Sequence, residues 1–295
     1  MTLYAALGAI EHGLVYGIMV IGVYLTFRIL DFPDLTVDGS LPLGAAISAI
    51  AITNGINPYV SLVFALLGGC VAGMITAILN TKFKILHLLA SILTMIALYS
   101  INIRIMGGPN IALMGSPTVF DSIIQMGVPS QYAGILVFSG FAVCVTAAIV
   151  WFLKTELGMA VLATGDNSQM ITSLGVNTHT IIILGVGLSN GLVALSGALI
   201  AQNQGAADVG MGIGTIIAGL ASVIIGETIF GDCSIARAFI AALLGSVVYR
   251  LAIALALGLE LGNFSFNPSD LNLITALLVI IALIAPNIKK KMVAR

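Results

Sequence analysis

The sequence predicts an all-α fold: a polytopic helical membrane protein of about nine spans (8–10), with broken helices and one short helix in a polar loop. Three observations carry this. Of the 295 residues, 59% are hydrophobic and 8% charged, whereas an ordinary soluble domain carries about a quarter charged residues. No charged residue lies between Asp38 and Lys82, or between Asp121 and Lys154, and each gap holds at least one span of ~20 residues. The apolar runs are continuous and do not alternate in ~10-residue units, which argues against membrane-crossing strands. The whole chain, 1–295, reads as one transmembrane domain.

Spans are expected near 5–28, 40–54, 58–80, 86–106, 132–153, 179–202, 211–230, 235–259 and 269–286. The first has Glu11 early and no basic residue before Arg28, unlike a cleavable signal peptide. The second is short for a crossing, and Pro33, Gly39, Pro42 and Gly44 punctuate its approach, as in a broken helix. The third carries a small-residue face, Gly68, Gly69 and Gly73, and the sixth another, Gly187, Gly191, Ala194 and Ala198. Such faces let helix backbones approach closely in lipid. They pack either within one subunit or as a surface that slides between inward-open and outward-open states. A faint internal echo relates 14–50 to 211–246: each reads helix, acidic glycine-containing break (DFPDLTVDGS, GETIFGDCS), then apolar run.

Basic residues set the orientation. Arg28, Lys82, Lys84, Lys154, Arg237 and Lys289–Lys291 fall at alternate turns, whereas 107–131 has no Lys or Arg. By the positive-inside rule the N-terminus is expected outside and the C-terminus in the cytoplasm. Trp151 and Lys154 form an interfacial anchor before the long polar loop 154–180, which is then cytoplasmic. Within it, Asp166 or Asn167 can cap a short helix with Met170, Ile171 and Leu174 on one face and Gly175 ending it.

The break ILDFPDLTVDGSLPLGAA, the loop ELGMAVLATGDNSQMITSLGVNT and the segment LSNGLVALSGALIAQNQGAADVGMGIGTIIAGLASVIIGETIFG occur in this order along the chain. Together they resemble the permease subunits of ABC importers of the branched-chain amino acid and ribose type, and within these the tryptophan/tyrosine importer permeases. The resemblance implies a membrane subunit of an ATP-driven importer in the bacterial cytoplasmic membrane, carrying an aromatic or branched-chain amino acid by alternating access. It also implies ABC ATP-binding subunits, an extracytoplasmic solute-binding protein and a second permease subunit, as a homodimer. The loop would be the coupling helix that receives the ATPase, through Glu156, Gly158, Gly165, Asp166, Asn167, Met170, Leu174 and Gly175. No G-x-x-x-x-G-K-[ST] occurs in the chain, so if transport is ATP-driven the ATPase is expected to be another polypeptide.

Polar residues inside spans are the remaining candidates. Asp31, Asp34 and Asp38 crowd one break, and in a bilayer they must face water, a protein cavity or helix N-termini. Asn190 lies mid-span, and Gln202 to Gln204 are expected at the outer mouth. Asp34, Asp38, Asn190, Gln202 and Asn203 are therefore pathway candidates. Glu11, Arg104, Glu227 and Arg250 pair or snorkel, Arg250 with Glu227 or Glu11 as its partner; in an ion-coupled secondary transporter, the alternative reading, they would be the coupling groups. Three scattered cysteines and three isolated histidines show no metal spacing, no nucleophile–base set occurs, and no basic patch suggests nucleic acid. Neither cofactor nor catalysis is expected.

Overall fold

The computed structural model describes residues 3–125, 127–231, 234–257, 260–261, 264–265, 275–277 and 279–280. Helix α1 (Leu3–Tyr24) continues through a π-helical turn, Leu25–Ile29. The chain then doubles back through 30–36, with Asp31 in the left-handed region at φ 51°, a conformation Asp tolerates better than most side chains. Helix α2 (Val37–Thr53) follows. Asn57 caps α3 (Pro58–Thr81), accepting from Tyr59 N at 2.9 Å, with Pro58 in the first helical position where its missing N–H costs nothing. Helix α4 (His87–Met106) stops at left-handed Gly107.

At that end, strands β1 (Asn110–Ala112) and β2 (Ala206–Asp208) pair antiparallel, Asn110 opposite Asp208, beside the short helix α5 (Val119–Gln125). Helix α6 (Ser130–Leu153) returns to the other end, where α7 (Glu156–Asp166) and α8 (Ser168–Ser173) lie. Then come α9 (Thr178–Gln204), a 3₁₀ turn (Val209–Gly212), α10 (Thr215–Phe230) and α11 (Ile235–Leu257).

Among the described residues, seven helical segments are long and apolar enough to cross a membrane, and α2 adds a shorter apolar one. Eight of the expected spans are thus present as helices. The ninth, 269–286, lies almost wholly outside the described residues. The β1–β2 ladder is a departure from a purely helical chain, but it only closes loops at one end.

Helix α9 is the centre of the bundle, and glycines explain how two helices, α2 and α3, reach it. A Cβ on Gly69 would overlap the Asn190 carbonyl, one on Gly44 the Ala194 carbonyl and one on Gly197 the Leu41 carbonyl. Gly73 similarly meets Val186 and the Asn190 side chain, and Gly187 and Gly191 face Met74 and Cys70. The small-residue faces of the third and sixth spans are therefore consumed against each other inside this chain. They are not a surface left for a sliding interface with a second copy.

The internal echo is corrected as well. GETIFGDCS opens inside α10, because Gly226 to Phe230 are still helical, and its Asp232 and Cys233 lie outside the described residues. The break that matches 30–36 precedes α10, at 205–214. Helix α2 starts level with the middle of α9, where Ser40 bonds Asn190, and ends beside Gln202, where Ser48 bonds it. Helix α10 starts at Asp38 and runs the opposite way, past Met19 and Val23 at Gly219, to Glu227, which bonds Arg28. Helices α2, of 17 residues, and α10, of 16, are shorter than the other bundle helices, and these two half-helices meet N-terminus to N-terminus inside the bundle.

Candidate functional site

The first candidate is the α7–α8 element. Thr155 caps α7 by accepting from Gly158 N at 3.3 Å. Gly158 itself is required, because a Cβ there would overlap the Phe152 carbonyl at the end of α6. Val161 and Thr164 are buried on the same side, and Gly165 rests against the Ile29 carbonyl, where again no Cβ fits. Asn167 caps α8, accepting from Met170 N at 3.0 Å, and Gly175, at φ 86°, follows its C-terminal end.

The expected short helix is α8, capped by Asn167 and followed by Gly175, and the loop holds a further helix, α7, before it. Asp166 is the last residue of α7, and Asn167, with an extended backbone, separates α7 from α8. The expected common face also divides. Ile171 is buried, whereas Met170 and Leu174 are 58% and 67% exposed. Leu157 and Met159 of α7 are exposed too. The element therefore shows apolar side chains to the outside while glycines weld its inner side to the ends of α6 and α1. Glu156 lies in the first turn of α7, where its charge favours the helix dipole.

The second candidate is a buried polar network at the meeting of the half-helices. Asn190 Nδ2 donates to Asp34 Oδ2 at 2.6 Å and to the Val186 carbonyl at 3.0 Å. Asn190 Oδ1 accepts from Ser40 Oγ at 2.7 Å. Asp34 Oδ1 accepts from Thr36 N at 2.9 Å, and the hydroxyls of Thr36 and Thr76 lie 2.9 Å apart. Asp34, Thr36, Ser40, Thr76 and Asn190 are all essentially inaccessible. Gly73 leaves the room in which the Asn190 amide turns toward Asp34.

Asp38 does a different job. Its Oδ1 accepts from Ile216 N at 2.9 Å and Thr215 Oγ1 at 2.9 Å, and its Oδ2 accepts from Gly214 N at 3.0 Å. A carboxylate from the first turn of α2 thereby caps α10, where orphan N–H groups and the helix dipole favour negative charge. Pro42 leaves the Asp38 carbonyl without its intrahelical donor, and Gly212 packs against that carbonyl.

The other pathway candidates are held by the protein. Gln202 is buried: its Nε2 donates to Ser48 Oγ at 3.0 Å and Ser61 Oγ at 3.2 Å, and its Oε1 accepts from Val119 N at 3.1 Å. It ties α2, α3 and α5 together and does not line an open mouth. Asn203 Nδ2 donates to Glu11 Oε1 at 2.7 Å. Arg250 has neither expected partner: its guanidinium stacks 3.9 Å over the Tyr16 ring, while Glu227 bonds Arg28 Nε at 2.9 Å. No group of three or more metal-ligating side chains occurs among the described residues.

Sequence reading missed Asn102, Tyr99 and the 209–213 turn. Polarity inside the span 86–106 was the signal available for Asn102, whose Nδ2 donates to the Gly39 carbonyl at 3.1 Å.

Residues 6–284 match the model of a family described as branched-chain amino acid transport system / permease component. The chain belongs to this family. It is the membrane-spanning permease subunit of an ABC importer. This permease is 45% identical over 282 residues to the tyrosine transport system permease protein of Clostridioides difficile (strain R20291), covering 96% of this chain and 91% of that one.

Two solved structures share the fold of the permease. PsaBC from Streptococcus pneumoniae in complex with Fab has a TM-score of 0.53 at 14% identity, covering 96% of this chain and 91% of that chain. A proposed metal-chelate type ABC transporter in an inward-facing conformation has a TM-score of 0.50 at 16% identity, covering 97% and 84%.

Proposed function

We propose that this permease imports an aromatic amino acid, tyrosine foremost, and that α7–α8 receives the motion of a separate ATP-binding subunit. The similarity to a tyrosine transport system permease carries the substrate reading. The exposed apolar side chains Leu157, Met159, Met170 and Leu174, on an element welded to α1 through Gly165 and Ile29, carry the mechanical one. Movement of α7 would press on Ile29 and Leu30, the residues from which the chain doubles back to Asp34 and α2. Leu30 also packs on Gly185 of α9. A push at α8 therefore has a short covalent and packed route to the half-helix junction, and rigid packing transmits it. Two permease copies, two ATP-binding subunits and an extracytoplasmic solute-binding protein complete the importer, with α7–α8 in the cytoplasm and β1–β2 outside.

The test is ATP-dependent uptake into vesicles containing the whole complex with its binding protein. Tyrosine is expected to accumulate and to be competed by phenylalanine or tryptophan more strongly than by leucine. Uptake of a sugar or metal ion with no amino acid transported would overturn the substrate reading.

A further inference from the structure

A groove of about 340 Å³ lies between α2, α4 and the turn before α10. Its walls are Met95, Ile96, Tyr99 and Ile213, and Asp38, Ser100 and Asn102 also line it. Ile96, Tyr99 and Ile213 are exposed, Ile213 to 81%. Taken alone, such apolar side chains suit contact with lipid. The polar groups do not. Asn102 is fully buried, and while its Nδ2 bonds Gly39, its Oδ1 is one of two buried side-chain polar atoms among the described residues without a hydrogen-bond partner. A buried acceptor left unpaired costs about 1–3 kcal/mol. Ionisable groups at membrane depth face the bundle interior or a water-filled cavity, and Asp38 shares this groove.

The polar inventory is also one-sided. Asn102 Oδ1 and the Asp38 carboxylate are acceptors, Ser100 Oγ can act as one, and neither Lys nor Arg lines the groove. Acceptors beside an aromatic ring and a thioether fit an ammonium group attached to an aromatic side chain.

We propose that this groove is a water-filled solute-binding surface of the permease, in which Asn102 Oδ1 and Asp38 receive the ammonium group of the amino acid and Tyr99 and Met95 contact its ring. The proposal rests on the amino-acid reading above, and it places the solute at the half-helix junction that α7 and the 30–36 segment can move.

The test uses the complete importer in vesicles, with Cys70, Cys144 and Cys233 replaced and Ser100→Cys introduced. A charged, water-soluble thiol reagent should label this cysteine, and tyrosine should slow the labelling. Tyramine, which keeps the ammonium group, should protect as well; N-acetyltyrosine should protect at least about tenfold more weakly, for loss of a charge-assisted hydrogen bond. Adding Asn102→Leu should abolish the preference for a free ammonium group. Ser100→Trp, which fills the groove from an exposed position, should cut tyrosine uptake at least about tenfold while the complex still assembles and hydrolyses ATP. Labelling by lipid-soluble reagents only would show a lipid-facing surface and overturn the proposal, as would equal protection by N-acetyltyrosine. Protection by a different amino acid, in a complex that does not import tyrosine, would overturn the tyrosine reading and support the groove.

Discussion

Asp34 and Asn190 decide what the middle of this bundle can tolerate. The fully buried Asp34 carboxyl group persists because the Asn190 amide and the N–H and side chain of Thr36 satisfy it. Asn190→Leu removes the 2.6 Å donor and leaves Asp34 without a side-chain partner from α9. The expected cost is about 2–3 kcal/mol, read as a lower unfolding temperature of the purified complex and reduced uptake. Restored stability in the double variant Asn190→Leu/Asp34→Asn would show that the cost comes from the stranded carboxylate; equal stability of wild type and single variant would contradict the account. Both residues were candidates in the sequence, Asp34 from its break and Asn190 from its mid-span position. Their pairing, 156 positions apart, was not, because only the doubling back of 30–36 brings them to the same depth.

The α7–α8 element separates a docking face from a structural face. Met170→Asp and Leu174→Asp place charge on exposed positions, so the permease should insert and fold while uptake is lost and the ATP-binding subunit no longer co-purifies. Normal uptake in both variants would remove α8 from the coupling role. Ile171→Asp should instead lower the amount of folded protein, since it buries an unpaired charge. Gly165→Val addresses the weld: the new side chain cannot fit against Ile29, and the complex should still hydrolyse ATP but import at least about tenfold less solute for each ATP, the loss expected when a close-packed contact is forced apart. The cap at Asn167 and the stop at Gly175 were readable from residue type. The bend between two helices was not, because it depends on the extended backbone of Asn167 and on what Gly158 and Gly165 pack against.

At the scale of the molecule, the helix ends that carry Arg28, Lys82, Lys84, Lys154 and Arg237 gather with α7–α8, and the β1–β2 ladder lies at the other end. In a cysteine-free background, an impermeant thiol reagent applied to intact cells should label Ser122→Cys in α5 but not Ser168→Cys in α8. The reverse pattern would invert the topology. Two ATP-binding subunits need two docking elements, so the solubilised complex is expected to contain two permease copies by native mass measurement. Glycines of α3 and α9 are buried against each other, so the expected pair of copies would meet on other faces.

The amino-acid sequence by itself determined the class: long uncharged apolar runs can satisfy their backbone groups in lipid only as helices, and their lengths and flanking charges located eight helices and the polar loop between α6 and α9. Residue type also marked the caps, stops and breaks, which are local events. Tertiary structure decided which break matched which, where the small-residue faces were spent, and which polar side chains became partners. Each of those depends on depth in the bundle, and depth is set by how far the chain doubles back at 30–36 and 205–214. No local pattern encodes that distance; the close approach of α2, α3 and α9 does.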